Sequence, residues 1–500
     1  MRLLFDTNVL IRVEDPRQLT QDLQAMMTLI RQHGHQVFVH PSTFADISRD
    51  ENLERRRVME SKLRGYPQLT VQTPDETFLA ALPQNGSPNE AVDNELLYTL
   101  YRNNIDFLVT EDLGIFRKAA RLGCDDRVLS ISSALRYLKS LHERWQPDSR
   151  TLVHGLVSEL DVNDQFFDSL RTDYDAVEFN RWFERISRQG RDCWYYEEAD
   201  RLKALMILKE ETDVIETEYP LPSIRRLKIC TLKVDMPGSK IGEAFLKIAF
   251  DFCFRNRIRE IYLTHYVKEN DPLVVLLNEF DFSEFNHARN RDARGQLEKV
   301  FVKSFVPTPA DLTNLTPLDF ARKYYPALKD GENVQKFIVP IKPVYHNRLF
   351  PTYRREQTTL SDYEQNPYGN AIKKAYLCHS HITRISPGDM LFFYRSRDEQ
   401  SVGCLGVVEK TLRSSNADEL TRFVGKRTVY SVQEINQMVA RPVLAILFRH
   451  HLDLPVRVPL EELCTGGILH SAPQSIGELT QVQYSRLKRR CNLDERIVFP

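Results

Sequence analysis

Four acids stand where this chain could do metal chemistry. Asp6 ends the apolar run Leu3, Leu4, Phe5 and precedes Thr7, Asn8 and a second apolar run. Asp112 ends the apolar run in FLVTED, beside Thr110 and Glu111. Asp46 lies in PSTFADISRD, a helix after the strand QVFVH, and Asp93 opens the helix in NEAVDNELLYTLY. In a parallel sheet, strand carboxyl ends and the adjoining helix starts converge on one edge. Carboxylates gathered there repel one another unless a cation neutralises them. All-oxygen ligands suit Mg²⁺ or Mn²⁺. Such an ion activates water and steadies the leaving oxygen of a phosphodiester. Taken singly, each acid is more often a helix cap or a surface charge. The informative feature is that Asp6 and Asp112 each end an apolar strand and each precede a helix.

A second constellation is LKVDMPGSKIGEAFLK, which reads as a strand, a tight turn and a helix start. Gly238 gives the turn its backbone freedom, and Gly242 leaves the first helical N–H groups bare. Such a start binds anions through oriented N–H groups and the helix dipole. Asp235 at the strand end and His265 on the next strand are candidate bases. The cluster Cys378-His379-Ser380-His381 is a poor metal site, because strand alternation divides it between two faces.

The elements that must position these groups follow from length and pattern. Five hundred residues exceed one ordinary core, so several domains are expected. Hydrophobic residues at 42% and charged residues at 27% are a globular composition. A net charge of -1 excludes a global basic field, so any nucleic-acid contact must use local patches. No apolar run is long enough for a membrane span, and no signal peptide is recognisable. Eight Cys without a CxxC pair read as free thiols in a reducing cytosol, with no structural zinc. The expected location is cytoplasmic.

Residues 1–148 alternate short apolar strands with helices, which predicts a parallel sheet. Residues 149–310 mix strands (WYYEE, LKALMILKEE, RRLKICTLKVD, REIYLTHYV) with the apolar-striped helix IGEAFLKIAFDFCFRNR. Residues 311–335, with several prolines, read as a partly helical linker. Strands dominate 336–500, where a small β-barrel is expected. The fold class is therefore multidomain α/β and α+β.

Three resemblances add to this reading. LLFDTNVLI with DFLVTEDLGIFRKAARLG resembles the PIN-domain nucleases, over roughly 1–140. The likeness implies that Asp6, Asp93 and Asp112 hold Mg²⁺ or Mn²⁺ for RNA hydrolysis, with Asp46 as a further catalytic acid. It implies that Thr110 supplies a hydroxyl and that Asn8 orients Asp6. It also implies a toxin-like ribonuclease, with an antitoxin partner and a homodimer as possible assemblies. The stretch 155–306 resembles the GNAT acetyltransferases, whose loop before a helix cradles coenzyme A. Val234, Gly238, Ser239, Lys240, Ile241 and Gly242 would then hold acetyl-CoA. The usual Tyr that protonates the leaving thiolate is replaced by Leu277, and the Gly after it by Asp281. The aromatic strand after SPGD, over roughly 336–490, resembles PUA-like barrels of the ASCH and EVE type. That implies a reader of RNA or a modified base. Tyr394, Arg395, Ser396, Gln474 and Ser475 would form its pocket, Lys373 and Lys374 would meet phosphates, and His346, Asn347 and Phe350 would line the rim. RLKRR at 486–490 fits backbone contact or a solvated helix face. The leading expectation is thus a metal-dependent endoribonuclease. The alternative is an N-acetyltransferase whose outer parts dock an RNA-associated or protein substrate.

Overall fold

The computed structural model describes residues 1–14, 20–48, 53–70, 73–82, 90–142, 152–198, 201–235, 241–268, 271–291, 295–350 and 372–500. Strands β1 (Arg2–Phe5), β2 (Gln36–Phe38), β3 (Phe107–Val109) and β4 (Val128–Leu129) form a parallel sheet in the order β2-β1-β3-β4. Its strands are apolar throughout because helices cover both faces. Leu3, Phe5 and Phe107 enter one core, while Leu4, Leu108 and Val128 enter the other. Phe5 pairs with Val109, so Asp6 and Thr110 emerge side by side at the carboxyl edge.

The middle sheet has seven strands: β5 (Val153–Leu156), β6 (Asp192–Glu198), β7 (Arg201–Glu211), β8 (Arg226–Val234), β9 (Glu260–His265), β10 (Ser283–Arg291) and β11 (Leu297–Ser304). Their order is β10-β11-β9-β8-β7-β6-β5. Every pairing is antiparallel except β8 with β9. Parallel neighbours need a crossover, and helix Ile241–Arg255 supplies it. On β7, Met206 faces this helix's core and Ile207 faces the core under helix Ala176–Arg188.

The stretch 311–335 is folded. Helix Pro317–Lys323 is followed by β12 (Leu328–Lys329), and Phe320 packs within the same small core as Tyr324 and Phe499. Beyond it run β13 (Lys336–Ile341), β14 (Lys373–Cys378), β15 (Met390–Arg395), β16 (Ser401–Ser414), β17 (Val443–Pro459) and β18 (Gly477–Glu478). A final strand, β19 (Val498–Phe499), pairs with β12. The barrel expected here is not closed. Among the described residues the ladder runs β14-β17-β16-β15-β13-β18 and ends at both outer strands. Bulges along the long β16–β17 pair give the sheet its curl.

Buried charges fasten the three regions together. Glu243 Oε1 accepts from the N–H groups of Ile372 (2.6 Å) and Lys373 (2.9 Å). Glu409 pairs with both Arg427 and Arg449, and Arg427 reaches Asp126 at 2.5 Å. Charges this buried are tolerated only when paired, so the junction is specific and sensitive to loss of one partner. No described helix is long and apolar enough to cross a membrane.

Candidate functional site

The pairing of β8 with β9 stops early. Leu227, Lys228 and Ile229 meet Ile261, Tyr262 and Leu263, and there the register ends. Strand β8 continues to Val234 and β9 to His265, so the two run apart. A cavity of about 1210 Å³ opens at this splay, lined by Cys230, Val234, Gly242, Thr264, His265 and Leu276 among others. The facing strand edges offer backbone N–H and C=O groups to a ligand. An elongated amide-bearing arm can add there as a strand would.

Helix Pro272–Glu279 closes one side. Gly242 lets it approach closely: a Cβ there would lie 2.8 Å from Leu276 Cδ2 and the leucine side chain would have to shift. The anion-binding role expected of Gly238, Ser239 and Lys240 falls outside the described residues. Of the other loop candidates, Val234 and Gly242 line the cavity, whereas Ile241 is buried in the core.

His265 is the base candidate with a partner. Its Nε2 lies 2.6 Å from Asp271 Oδ2. Burial raises the Asp271 carboxyl, but His265 and the N–H groups of Lys268 and Leu273 outweigh it and leave it below its usual value. Asp271 therefore stays ionised and only accepts. His265 must carry its proton on Nε2, which leaves Nδ1 free to take one. Asp235 is exposed on the rim, 3.2 Å from Lys233 Nζ, and has no comparable orienting partner among the contacts found. Leu277, at the place of the usual Tyr, is wholly buried. Two tyrosines elsewhere line the cavity instead: Tyr174 and Tyr266, with ring centroids 5.1 Å apart. Tyr174 donates to Glu298 Oε1 at 3.2 Å, and burial with that carboxylate holds its hydroxyl well above the usual value.

Asp271, Tyr174 and Glu298 were missed in the sequence. Asp271-Pro272 is a helix-start signature that could have marked the first. Nothing local marks Tyr174 and Glu298, which meet across distant elements.

The N-terminal acids gather in one region, but their oxygens are already engaged. Asp6 accepts from Thr110 Oγ1 (2.6 Å), Asn8 Nδ2 (2.7 Å) and Thr7 N (2.6 Å). Asp112 caps helix Leu113–Arg121, with Oδ1 accepting from Gly114 N at 2.6 Å. Asp93 pairs with Lys118 Nζ at 3.4 Å, and Asp46 accepts from Thr7 Oγ1 at 3.1 Å. Burial, then the neighbouring carboxylates, push Asp6 up to about 6. Asp93 is pushed up to about 6 by burial and by Asp112 and Asp46, against the pull of Lys118. Among the described residues, Cys404, His450 and Asp453 form the one group of three such side chains whose ligand atoms all lie within 4.8 Å of one another; Asp6, Asp93 and Asp112 do not form such a group in this arrangement. Capping and the Lys118 pair turn the N-terminal carboxylates to other tasks.

Most of the expected base pocket is interior. Tyr394 and Arg395 are buried, and Arg395 is spent on Asp398 and Asn347. His346 and Phe350 belong to the core rather than a rim, while Asn347 holds Arg395. Lys373 pairs with Glu279 and lies 3.8 Å from Asp125; Lys374 Nζ donates to Leu349 O at 2.6 Å. Both lysines are buried, and Lys373 lies on the wall of the middle region's cavity beside Glu279. Ser396 Oγ donates to Ile341 O, and Gln474 and Ser475 are exposed. In RLKRR, Lys488 pairs with Asp330 and Arg490 with Glu462.

No family model matches the chain, and no curated protein matches it. Solved structures give partial likenesses. The ASCH protein from Zymomonas mobilis shares 15% identity over 31% of this chain and 94% of that one, at a TM-score of 0.25. Arabidopsis thaliana NAA60, solved with a bisubstrate analogue, shares 14% over 31% of this chain and 98% of that one, at 0.22. The aminoglycoside 6'-acetyltransferase type Ii shares 14% over 32% of this chain and all of that one, also at 0.22.

Proposed function

We propose that this chain is an acyl-CoA-dependent N-acyltransferase. Its reaction centre lies in the middle region, and its outer regions dock an RNA-associated or protein substrate. The observation that carries the reading is the 1210 Å³ cavity at the β8–β9 splay with the His265–Asp271 pair on its wall. The bare edges of β8 and β9 would hold the amide-bearing arm, and Gly242 gives it room at the helix start. Acetyl-CoA bound there supplies an activated thioester carbonyl. His265 Nδ1 takes the proton of the incoming amine while Asp271 holds the ring and steadies its positive charge. A hydroxyl on the cavity wall, that of Tyr266, would return a proton to the leaving sulfur, the task that Leu277 cannot do.

The test is calorimetric titration of CoA and acetyl-CoA into the full chain, paired with Thr264→Trp, which fills the splay. Saturable binding lost in the variant supports the reading. Absence of binding at millimolar CoA would overturn it.

A second reading has one observation in its favour. Asp6 and Asp93, both held near 6 by burial and their neighbours, are the kind of acids a divalent cation relieves. On this reading Mg²⁺ or Mn²⁺ drives cleavage of RNA. It fails if the purified chain with Mn²⁺ cuts no RNA that Asp6→Asn spares.

A further inference from the structure

A buried Cys-His-Asp group lies outside the site described above. Cys404 on β16 stands opposite Asp453 on β17. Three residues earlier on β17, His450 would fall on the opposite face of a regular strand. The register shift between Leu405 and Gly406 inserts His451 as an extra residue and brings His450 onto the Asp453 side. Re-aiming a side chain in this way is a characteristic use of a bulge.

The distances are those of a tetrahedral ion. Cys404 Sγ lies 3.3 Å from Asp453 Oδ1, and His450 Nε2 lies 3.2 Å from the same oxygen. Ligand atoms around a tetrahedral zinc stand about 3.3–3.6 Å apart, given bonds of ~2.0 Å to N or O and ~2.3 Å to S. His450 is 1% exposed, held between Lys247 Nζ on its Nδ1 side and Asp453 on its Nε2 side. Asp453 keeps 37% of its side chain exposed, which gives an ion a way in.

The groups facing the site are Lys247, 3.4 Å from His450 Nδ1, together with Lys374, Glu243, His346 and Arg395, the last paired with Asp398.

We propose that Cys404, His450 and Asp453 bind a zinc ion, with solvent at the fourth position. Zinc is favoured by the mixed S, N and O donors. Binding replaces the Cys404 S–H bond with an S–Zn bond and releases one proton to solvent. The ion would brace β16 and β17 where Lys247 of helix Ile241–Arg255 meets them, and so stiffen the junction between the middle and C-terminal regions.

The experiment uses the full chain, stripped with a chelator and titrated with Co²⁺. One equivalent should give a thiolate-to-cobalt charge-transfer band. Cys404→Ser should abolish that band, Asp453→Asn should weaken binding at least tenfold, and Cys378→Ser should leave both unchanged. Zinc should raise the melting temperature of the stripped chain and leave that of Cys404→Ser unmoved. A stripped wild-type chain with no charge-transfer band overturns the proposal whether or not any variant folds, as does a band that persists in Cys404→Ser. Neither result bears on CoA binding.

Discussion

The carboxyl edge of the N-terminal sheet and the gap in the middle sheet are made of the same parts, strand ends and helix starts. They differ in what those parts have left to give. At the N-terminal edge, Asp6 spends both oxygens on Thr7, Asn8 and Thr110, and Asp112 caps its own helix. At the middle gap, strand pairing ends at Ile229 and Leu263 while both strands continue. The first edge has the residues of a reaction centre with their contacts closed. The second has an open cavity and one oriented histidine. Residue type marks where chemistry could occur, and unspent bonding capacity marks where a ligand fits.

The strongest way to break this contrast is to remove the histidine. His265→Gln should lower acyl transfer by about 10²–10⁴-fold, the usual worth of a positioned general base. The KM for acetyl-CoA should stay unchanged, because His265 faces the acceptor's proton. A steady-state comparison of kcat and KM checks this. An unchanged kcat would leave the cavity without its chemistry.

Filling the gap is the next largest intervention. Thr264→Trp places a bulky ring on the β9 side of the splay. Overpacking of this kind costs about 1–3 kcal/mol, so CoA should bind roughly 10–100-fold more weakly. Circular dichroism should show an intact fold. Equal affinity in the variant would place the ligand elsewhere.

How far the sequence carried this picture can be argued from particular residues. The parallel sheet was legible because Leu3–Phe5 and Phe107–Val109 are apolar on both faces and separated by helical patterns. Strand β8 and helix Ile241–Arg255 were legible from their apolar patterns. Lys373, Lys374, Tyr394 and Arg395 were misplaced because a basic-aromatic strand looks like a binding surface. Only the packing of a second region over β14 buries the lysines, and no local pattern announces that. Asp93 and Asp112 were correctly drawn towards Asp6. Which way each carboxylate turns depends on Lys118 and on the backbone of Gly114, both set by the tertiary fold.

A pH measurement sharpens the N-terminal half of the contrast. Asp93 titrates near 3.8 as an ordinary acid in the unfolded chain and at about 6 in the folded one. Between those values the folded chain binds the extra proton, so stability rises as pH falls through 6 and is lost again above it. The contribution between pH 7 and pH 5 is about 1 kcal/mol. Asp93→Asn should remove that gain. The Lys118 pair weakens in the wild type as Asp93 takes up its proton, and that weakening is already contained in the value of about 6. Urea titrations at the two pH values measure it. Equal pH dependence in variant and wild type would mean that Asp93 feels neither its burial nor Asp112.

The smallest expected effect is the most discriminating. Helix Leu113–Arg121 begins at Asp112, and its first residue, Leu113, is also part of the cavity wall. The two regions therefore touch, and a change at one edge could reach the other. Asp112→Asn keeps an oxygen to accept from Gly114 N, and asparagine is as good a cap as aspartate. If the acids only shape the N-terminal edge, acyl transfer should change by less than about twofold, below ~0.4 kcal/mol. A tenfold loss would show that Asp112 serves the cavity through Leu113, and the separation between a closed edge and an open gap would fall. Loss of Mn²⁺-dependent RNA cleavage with acyl transfer intact would instead give the N-terminal edge a chemistry of its own, reached by carboxylates that turn away from their caps when the ion arrives.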